Sequence, residues 1–99
     1  GERPMYIVGR NERCDLVLAN LCVSRTHAAV VHHASGDVYV TDLGSAHGTF
    51  VGNERLEPHV PTLARKGTLI KFGTPLAQFL LLSTPRMDDV LREVQSAGT

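Results

Sequence analysis

Apolar residues along this chain occur in short runs separated by glycine, proline, asparagine and aspartate. Several runs alternate apolar and polar positions, as in Val38–Asp42, which is the period of a half-buried strand. Turn signals recur about every 8 to 12 residues, and no helical period precedes residue 84. The pattern predicts an all-β fold, an antiparallel β-sandwich of many short strands. The predicted strands are Met5–Val8, Asp15–Leu18, Ala28–His32, Val38–Asp42, Phe50–Val51, Glu54–Leu56, Thr68–Phe72 and Gln78–Leu82.

Turn-forming residues in the middle of the chain help to locate the turns and edges between the predicted strands. Gly52-Asn53 separates two strand-like runs, which predicts a two-residue hairpin turn of the primed type. Pro58 and Pro61 lack the N–H that a sheet ladder needs, so their neighbourhood is expected to be an edge or a loop. Lys66-Gly67 predicts another turn before the next strand.

The segment 84–99 has a different pattern. Thr84 suits a helix N-cap and Pro85 the first helical position. An apolar stripe at helical spacing follows, formed by Met87, Val90, Leu91 and Val94. We therefore expect one domain over residues 1–83 and a short C-terminal amphipathic helix or tail over 84–99. The helix packing on the sandwich, the helix docking a partner and a frayed tail all stay open.

The composition limits the classes of function. A chain of 99 residues makes one domain with a modest core. Its 10 basic and 10 acidic residues cancel, so we expect no nucleic acid binding, and any anion site must be local. The chain has no apolar run of membrane-spanning length and no signal peptide, so no membrane partner is expected. Because the chain begins at Gly1 rather than Met, we expect an excised fragment of a longer protein. We also expect a monomer in an intracellular setting.

Two cysteines raise the question of metal or enzyme chemistry. Cys14 and Cys22 are expected to be free thiols in an intracellular setting. A zinc site with His27 lacks the paired close spacings of zinc modules, so no metal or cofactor is expected. A thiol enzyme would use Cys22 as nucleophile, His27 as base and Cys14 as resolving thiol. We expect no enzyme, because a strand-rich chain of this size lacks a second domain to build a cleft.

Candidate functional residues concentrate in three stretches at predicted strand ends. The central one is the loop 42–53, in which Asp42 is placed to cap the loop and Gly48 to adopt a conformation that a side chain would forbid. Gly9-Arg10 and Ser24–His27 are expected to converge on this loop.

The order and spacing of these motifs carry a resemblance. Gly9-Arg10, Ser24-Arg25-x-His27, Ser45-x-His47-Gly48-Thr49 and Asn53 follow one another as in a forkhead-associated (FHA) domain. The resemblance covers roughly residues 5 to 82. It implies a β-sandwich with binding loops at one end, which binds phosphothreonine peptides and performs no chemistry. The phosphate would need a guanidinium, a hydroxyl donor and backbone N–H groups.

The resemblance assigns roles residue by residue. Arg10, Ser24 and Arg25 would contact the phosphate, and His47 would hold the ligand backbone where most members carry Asn. Ala46 replaces a residue that often brings a hydroxyl, so one phosphate contact is lost or passes to a backbone N–H. Residues expected to support the site structurally are Gly9, His27, Gly48, Thr49 and Asn53.

A narrower likeness bears on specificity and location. Residues 24–31 and Arg55–His59 are similar to a nuclear, phosphatase-1-regulating subgroup of the family, which implies nuclear residence and Thr-Pro ligands. Cys22 cannot act as the arginine with which some members read an acidic residue three positions after the phosphothreonine, so no such preference is expected. The alternative function is a phosphate-independent interaction domain with a weakened pocket.

Overall fold

The computed structural model describes residues 4–65, 67–73 and 78–80, so the prediction for 84–99 lies outside the described residues. The described part is built of strands and contains no helix. Its strands are β1 (Met5–Gly9), β2 (Leu16–Val17), β3 (Ala28–His32), β4 (Val38–Asp42), β5 (Thr49–Val51), β6 (Glu54–Arg55), β7 (Thr62–Ala64), β8 (Leu69–Phe72) and β9 (Gln78–Leu80).

The strands form the two sheets of a β-sandwich, which confirms the predicted fold class. One sheet has the order β2-β1-β3-β4-β7 and the other β6-β5-β8-β9. Neighbouring strands run antiparallel, except that β2 lies parallel to β1, with Val8 opposite Leu16. The first sheet is therefore mixed, a detail that the antiparallel prediction missed.

Side-chain alternation explains how the sheets enclose a core. In β4, Val38, Val40 and Asp42 face inward while Tyr39 and Thr41 are half-buried. The core of the described residues is largely aliphatic. It comprises Tyr6, Val8, Leu16, Val23, Ala28, Val30, Val38, Val40, Leu56, Ala64, Ile70 and Phe72.

The Gly52-Asn53 hairpin forms as predicted. Val51 pairs with Glu54 across a two-residue turn. Gly52 has a φ of 63°, and no positive φ occurs at Asn53, which is the arrangement of a type II′ turn.

Strand β7 was not predicted. It begins directly after Pro61 and pairs with β4 as the edge of the larger sheet, with Leu63 opposite Tyr39. A proline before an edge strand removes no ladder hydrogen bond. The prolines predict an edge or a loop, and the structure shows an edge strand directly after Pro61.

Strand register brings the loops of interest to one end of the sandwich. Ala28, the first residue of β3, lies opposite both Val8 near the end of β1 and Asp42 at the end of β4. The loops after β1, before β3 and after β4 therefore emerge together. Within the described ranges there is no helix of the length and hydropathy that crossing a membrane requires.

Candidate functional site

Arg10 emerges from the end of β1 and lies against the loop before β3. Its backbone N–H donates to the carbonyl oxygen of Ser24 at 3.0 Å. Its side-chain Nε donates to the carbonyl oxygen of Val23 at 3.1 Å. The side chain is exposed, and its terminal nitrogens form no hydrogen bond to any residue described in the structure. They are free to bind an anion.

Ser24 links the loop before β3 to the loop after β4. Its backbone N–H donates to Nδ1 of His27 at 3.0 Å. Its Oγ accepts a hydrogen bond from the backbone N–H of Ala46 at 3.0 Å. The Ser24 hydroxyl proton bonds to no acceptor among the described residues, so it remains a donor for a ligand.

Gly9, at the end of β1, allows the loop before β3 to approach closely. A Cβ at position 9 would lie 2.1 Å from the carbonyl oxygen of Arg25. That oxygen also accepts hydrogen bonds from the N–H of Asn11 and the thiol of Cys14, both at 3.2 Å. The Arg25 side chain is exposed. A groove of about 400 Å³ beside it is lined by Arg10, Asn11, Glu12 and Arg25.

His27 is fully buried beneath the loops. Its Nδ1 accepts from Ser24, so Nε2 carries the proton and donates to the carbonyl oxygen of Gly48 at 2.8 Å. The ring also packs edge-on against Phe72, with centroids 5.8 Å apart. Burial lowers the pKa of His27, although the Gly48 carbonyl and the Asp42 charge oppose this shift. A neutral imidazole therefore joins the loop before β3 to the loop before β5.

Asp42 organises the central loop from inside. Its Oδ2 accepts the backbone N–H groups of Gly44 and Ser45, each at 3.0 Å. Its Oδ1 accepts the hydroxyls of Ser45 at 2.5 Å and Thr49 at 2.6 Å. Burial raises the pKa of Asp42, but these four hydrogen bonds outweigh it and hold the pKa below its ordinary value. The sequence had indicated a loop cap here, and the structure gives the capping carboxylate four donors.

Ser45 and Gly48 complete the central loop. The Ser45 hydroxyl, which donates to Asp42, also accepts the N–H of Gly48 at 2.9 Å. Gly48 has a φ of 90°, in the region that favours glycine. The sequence places Ser45 in a motif, but only the folded loop shows its two contacts.

The remaining predicted residues lie in three different places. Ala46 and His47 are exposed on the outside of the loop, and no hydrogen bond joins the His47 ring to a described residue. The N–H of Ala46, expected as a possible phosphate donor, is already bonded to Ser24. Thr49 is fully buried below the loop. Asn53 is not brought into this cluster, because it lies in the turn at the other end of β5.

Arg55 begins the stretch Arg55–His59 of the subgroup likeness, but no sequence motif gives it a role at the site. It belongs to β6, yet a Cβ at Gly48 would lie 2.7 Å from its Nε. Its guanidinium also lies over the ring of Phe50, 6.0 Å from the centroid. The proximity of Arg55 to the central loop arises from the pairing of β5 with β6, which single-residue motifs do not reveal.

Comparison with known protein families supports the family that the motifs indicate. The sequence model of the FHA domain family matches residues 6–73 of this chain. The protein phosphatase 1 regulatory inhibitor subunit PPP1R8 homolog of Arabidopsis thaliana is 47% identical over 81 residues, which are 81% of this chain and 22% of that protein. The human nuclear inhibitor of protein phosphatase 1 is 38% identical over 87 residues, 86% of this chain and 25% of that protein. The chain thus spans about a quarter of these relatives' length, and the narrower likeness is confirmed.

Solved structures show the same architecture. The FHA domain of the CT664 protein from Chlamydia trachomatis superposes with a TM-score of 0.75 at 29% identity, covering 85% of this chain and 81% of that chain. An FHA domain studied for phosphothreonine-dependent interactions superposes with a TM-score of 0.64 at 25% identity, covering 74% of this chain and 72% of that chain.

Proposed function

Because the chain belongs to the FHA domain family, we propose that it binds a phosphothreonine-containing segment of a protein partner through its loops 10–12, 24–27 and 45–48. FHA domains bind phosphothreonine peptides and are non-catalytic interaction modules. The domain therefore recruits a phosphorylated protein and itself performs no chemistry.

The observation that carries this proposal is the pairing of Arg10 with Ser24. The hydrogen bond from the Arg10 N–H to the Ser24 carbonyl, at 3.0 Å, joins the backbones of these two residues, and the Arg10 Nε donates to the neighbouring Val23 carbonyl at 3.1 Å. A guanidinium with free terminal nitrogens and a hydroxyl with a free proton therefore come from adjoining stretches of backbone. A phosphothreonine brings about two negative charges and three strong acceptor oxygens. One cation with a fork of donors plus one hydroxyl matches that chemistry without a broad basic surface.

The other exposed loop residues have subordinate roles. Arg25 lines the groove next to Arg10 and supplies a second cation to the phosphate. Ala46 contributes no side-chain donor, and its N–H is committed to Ser24, so the phosphate is held by fewer groups. The free imidazole of His47, exposed on the same loop, holds the ligand backbone beside the phosphothreonine.

The relatives suggest the setting in which this module works. We infer nuclear residence and a Thr-Pro ligand from the phosphatase-inhibitor relatives, one of which is named a nuclear inhibitor. By the same analogy, the rest of the protein would regulate protein phosphatase 1.

The proposal is tested with matched peptides. An array of phosphothreonine sequences and their unphosphorylated copies is probed with the wild-type domain, Arg10→Ala and Arg65→Ala. We expect wild type and Arg65→Ala to bind only phosphorylated peptides. Arg65 follows β7, whose Ala64 pairs with Val38 at the opposite end of β4 from Asp42, so it is a distant control.

Arg10→Ala should weaken phosphopeptide binding by about 10- to 150-fold, because a charged hydrogen bond contributes about 1.5–3 kcal/mol. Equal binding of phosphorylated and unphosphorylated copies would overturn the proposal in favour of a phosphate-independent interaction domain.

A further inference from the structure

The guanidinium of Arg55 lies against the central binding loop, on β6 rather than on the loop itself. A Cβ at Gly48 would meet its Nε at 2.7 Å, its Cζ at 3.0 Å and its Nη2 at 3.2 Å. Only a glycine at position 48 allows the guanidinium this close to the loop backbone. The side chain also lies over Phe50, its partner in the β5–β6 ladder, which restricts its orientation.

Arg55 is exposed and has no acidic partner in the part of the chain that the structure describes. The contact with Phe50 occupies no N–H donor in a hydrogen bond, and the guanidinium donates to no other described residue. A guanidinium held in place with its donors unused is preorganised to bind an anion, because less side-chain entropy is lost on binding.

The loop geometry places this cation within a few peptide residues of the phosphate-binding pair. Ser24 Oγ contacts the Ala46 N–H at 3.0 Å, and Gly48 follows two residues later. Two residues of chain reach at most about 7 Å, so the Gly48 backbone lies within about 10 Å of Ser24 Oγ. An extended ligand advances about 3.3 Å per residue and covers that distance in three residues.

We propose that Arg55 is a specificity-determining residue that binds an anionic side chain two or three positions from the phosphothreonine of the bound peptide. This inference rests on the proposed function and adds a preference to it. The sequence analysis expected no acidic preference through position 22, where a cysteine stands. Arg55 supplies a cation from a different strand, β6. Ser24 contacts the loop segment 46–48 at Ala46, and Arg55 lies next to its other end, at Gly48.

A charge-swap experiment tests the proposal. Wild type, Arg55→Glu and the distant control Arg65→Glu are titrated with one Thr-Pro phosphopeptide, in which position −3, −2, +2 or +3 carries Glu, phosphoserine, Gln or Lys. At one of these positions, wild type should prefer Glu over Lys by about two- to fivefold, the scale of an exposed ion pair. Arg55→Glu should reverse that preference, and Arg65→Glu should retain it.

Further measurements in the same experiment identify which anionic group Arg55 binds and whether its role is in binding or in folding. A stronger response to phosphoserine than to Glu would identify a second phosphate as the ligand group, and equal responses would identify a carboxylate. Arg55→Lys should keep part of the preference, whereas a role for Arg55 in folding alone would change thermal stability without any dependence on the peptide's charge. The preference should also shrink in high salt.

Two outcomes distinguish failure of this inference from failure of the proposed function. If the same domain binds phosphorylated peptides in an Arg10-dependent way but shows no charge preference at the four positions, Arg55 is not a specificity residue and the proposed function stands. If no peptide requires its phosphate, both proposals fail.

Discussion

His27 donates from Nε2 to the carbonyl oxygen of Gly48 at 2.8 Å, across 21 positions of sequence. Through its other ring nitrogen it accepts the N–H of Ser24 at 3.0 Å. One buried imidazole therefore sets the position of the proposed hydroxyl donor relative to the central loop. This relationship makes loop geometry and core stability depend on the same side chain.

His27→Ala should lower both stability and ligand binding. The substitution opens a cavity and leaves the Ser24 N–H and the Gly48 carbonyl without their partner, so we expect a loss of about 2–4 kcal/mol in the free energy of unfolding. Urea unfolding measures this loss. His47→Ala is the matched control, since His47 is exposed and should change stability little. A His27→Ala domain as stable as wild type would contradict this account.

The stability of the ligand-free domain should fall as the pH is lowered through the ordinary histidine range. Burial lowers the pKa of His27 below its ordinary value of 6.5, so the unfolded chain binds more protons between the folded pKa and 6.5. The contribution of His27 to the free energy of unfolding is therefore fully present above about pH 6.5. It declines as the pH falls below that value, until the pH passes the pKa of His27 in the folded state. Urea midpoints at pH 7.5 and 5 measure the decline. It should persist in His47→Ala and be reduced in a folded His27→Gln variant.

Asp42→Asn should destabilise the loop at neutral pH. An amide presents its own N–H groups where the carboxylate accepts four donors, and we expect a cost of about 2–4 kcal/mol. The pKa of Asp42 lies below its ordinary 3.8, so its stabilising effect is present above that pH and is lost as the pH falls through the lower folded value. Asp37→Asn, at an exposed turn, is the control. Thermal unfolding at pH 7 and 3 should show a smaller gap between Asp42→Asn and wild type at pH 3.

Gly9→Ala should weaken ligand binding through a steric clash, and comparison with a glycine that has positive φ should separate this effect from the cost of an unfavourable backbone conformation. The new methyl group would lie 2.1 Å from the Arg25 carbonyl oxygen, so the loops must move apart and phosphopeptide binding should fall at least tenfold. Gly36→Ala is the counterpart, with open space but a φ of 96°. It should cost about 1 kcal/mol of stability and leave binding intact. Unchanged affinity in Gly9→Ala, measured by calorimetry, would argue against the loop arrangement described above.

Phosphopeptide affinity should itself depend on pH. Phosphothreonine loses its second proton near pH 6, so the exposed Arg10 guanidinium faces a monoanion below that value and binding weakens. Titrations at pH 7.5 and 5.5 should show this for wild type. In Arg10→Ala the pH dependence should be smaller. A flat profile in the wild-type domain would be inconsistent with a phosphate-centred site.

Local sequence patterns determined much of this protein. The bounds of β3 and β4 could be predicted to the residue. In β3 two small residues precede Val30 and Val31, and β4 alternates apolar and polar positions after a turn-forming segment. Gly52-Asn53 specified its own turn, and the order of the loop motifs identified the family. Each of these features depends on residues close together in the chain.

Only the tertiary structure decided which distant groups meet. Four features depend on how strands pair and how the loops between them close. They are the parallel pairing of β2, the four donors around Asp42, the hydrogen bond from Ala46 to Ser24 and the approach of Arg55 to Gly48. A strand's side-chain pattern shows which face is buried, but it carries little information about its neighbour. Contacts across the sandwich are therefore chosen by the packing of the whole chain, whereas turns and alternation are chosen by the backbone preferences of a few adjacent residues.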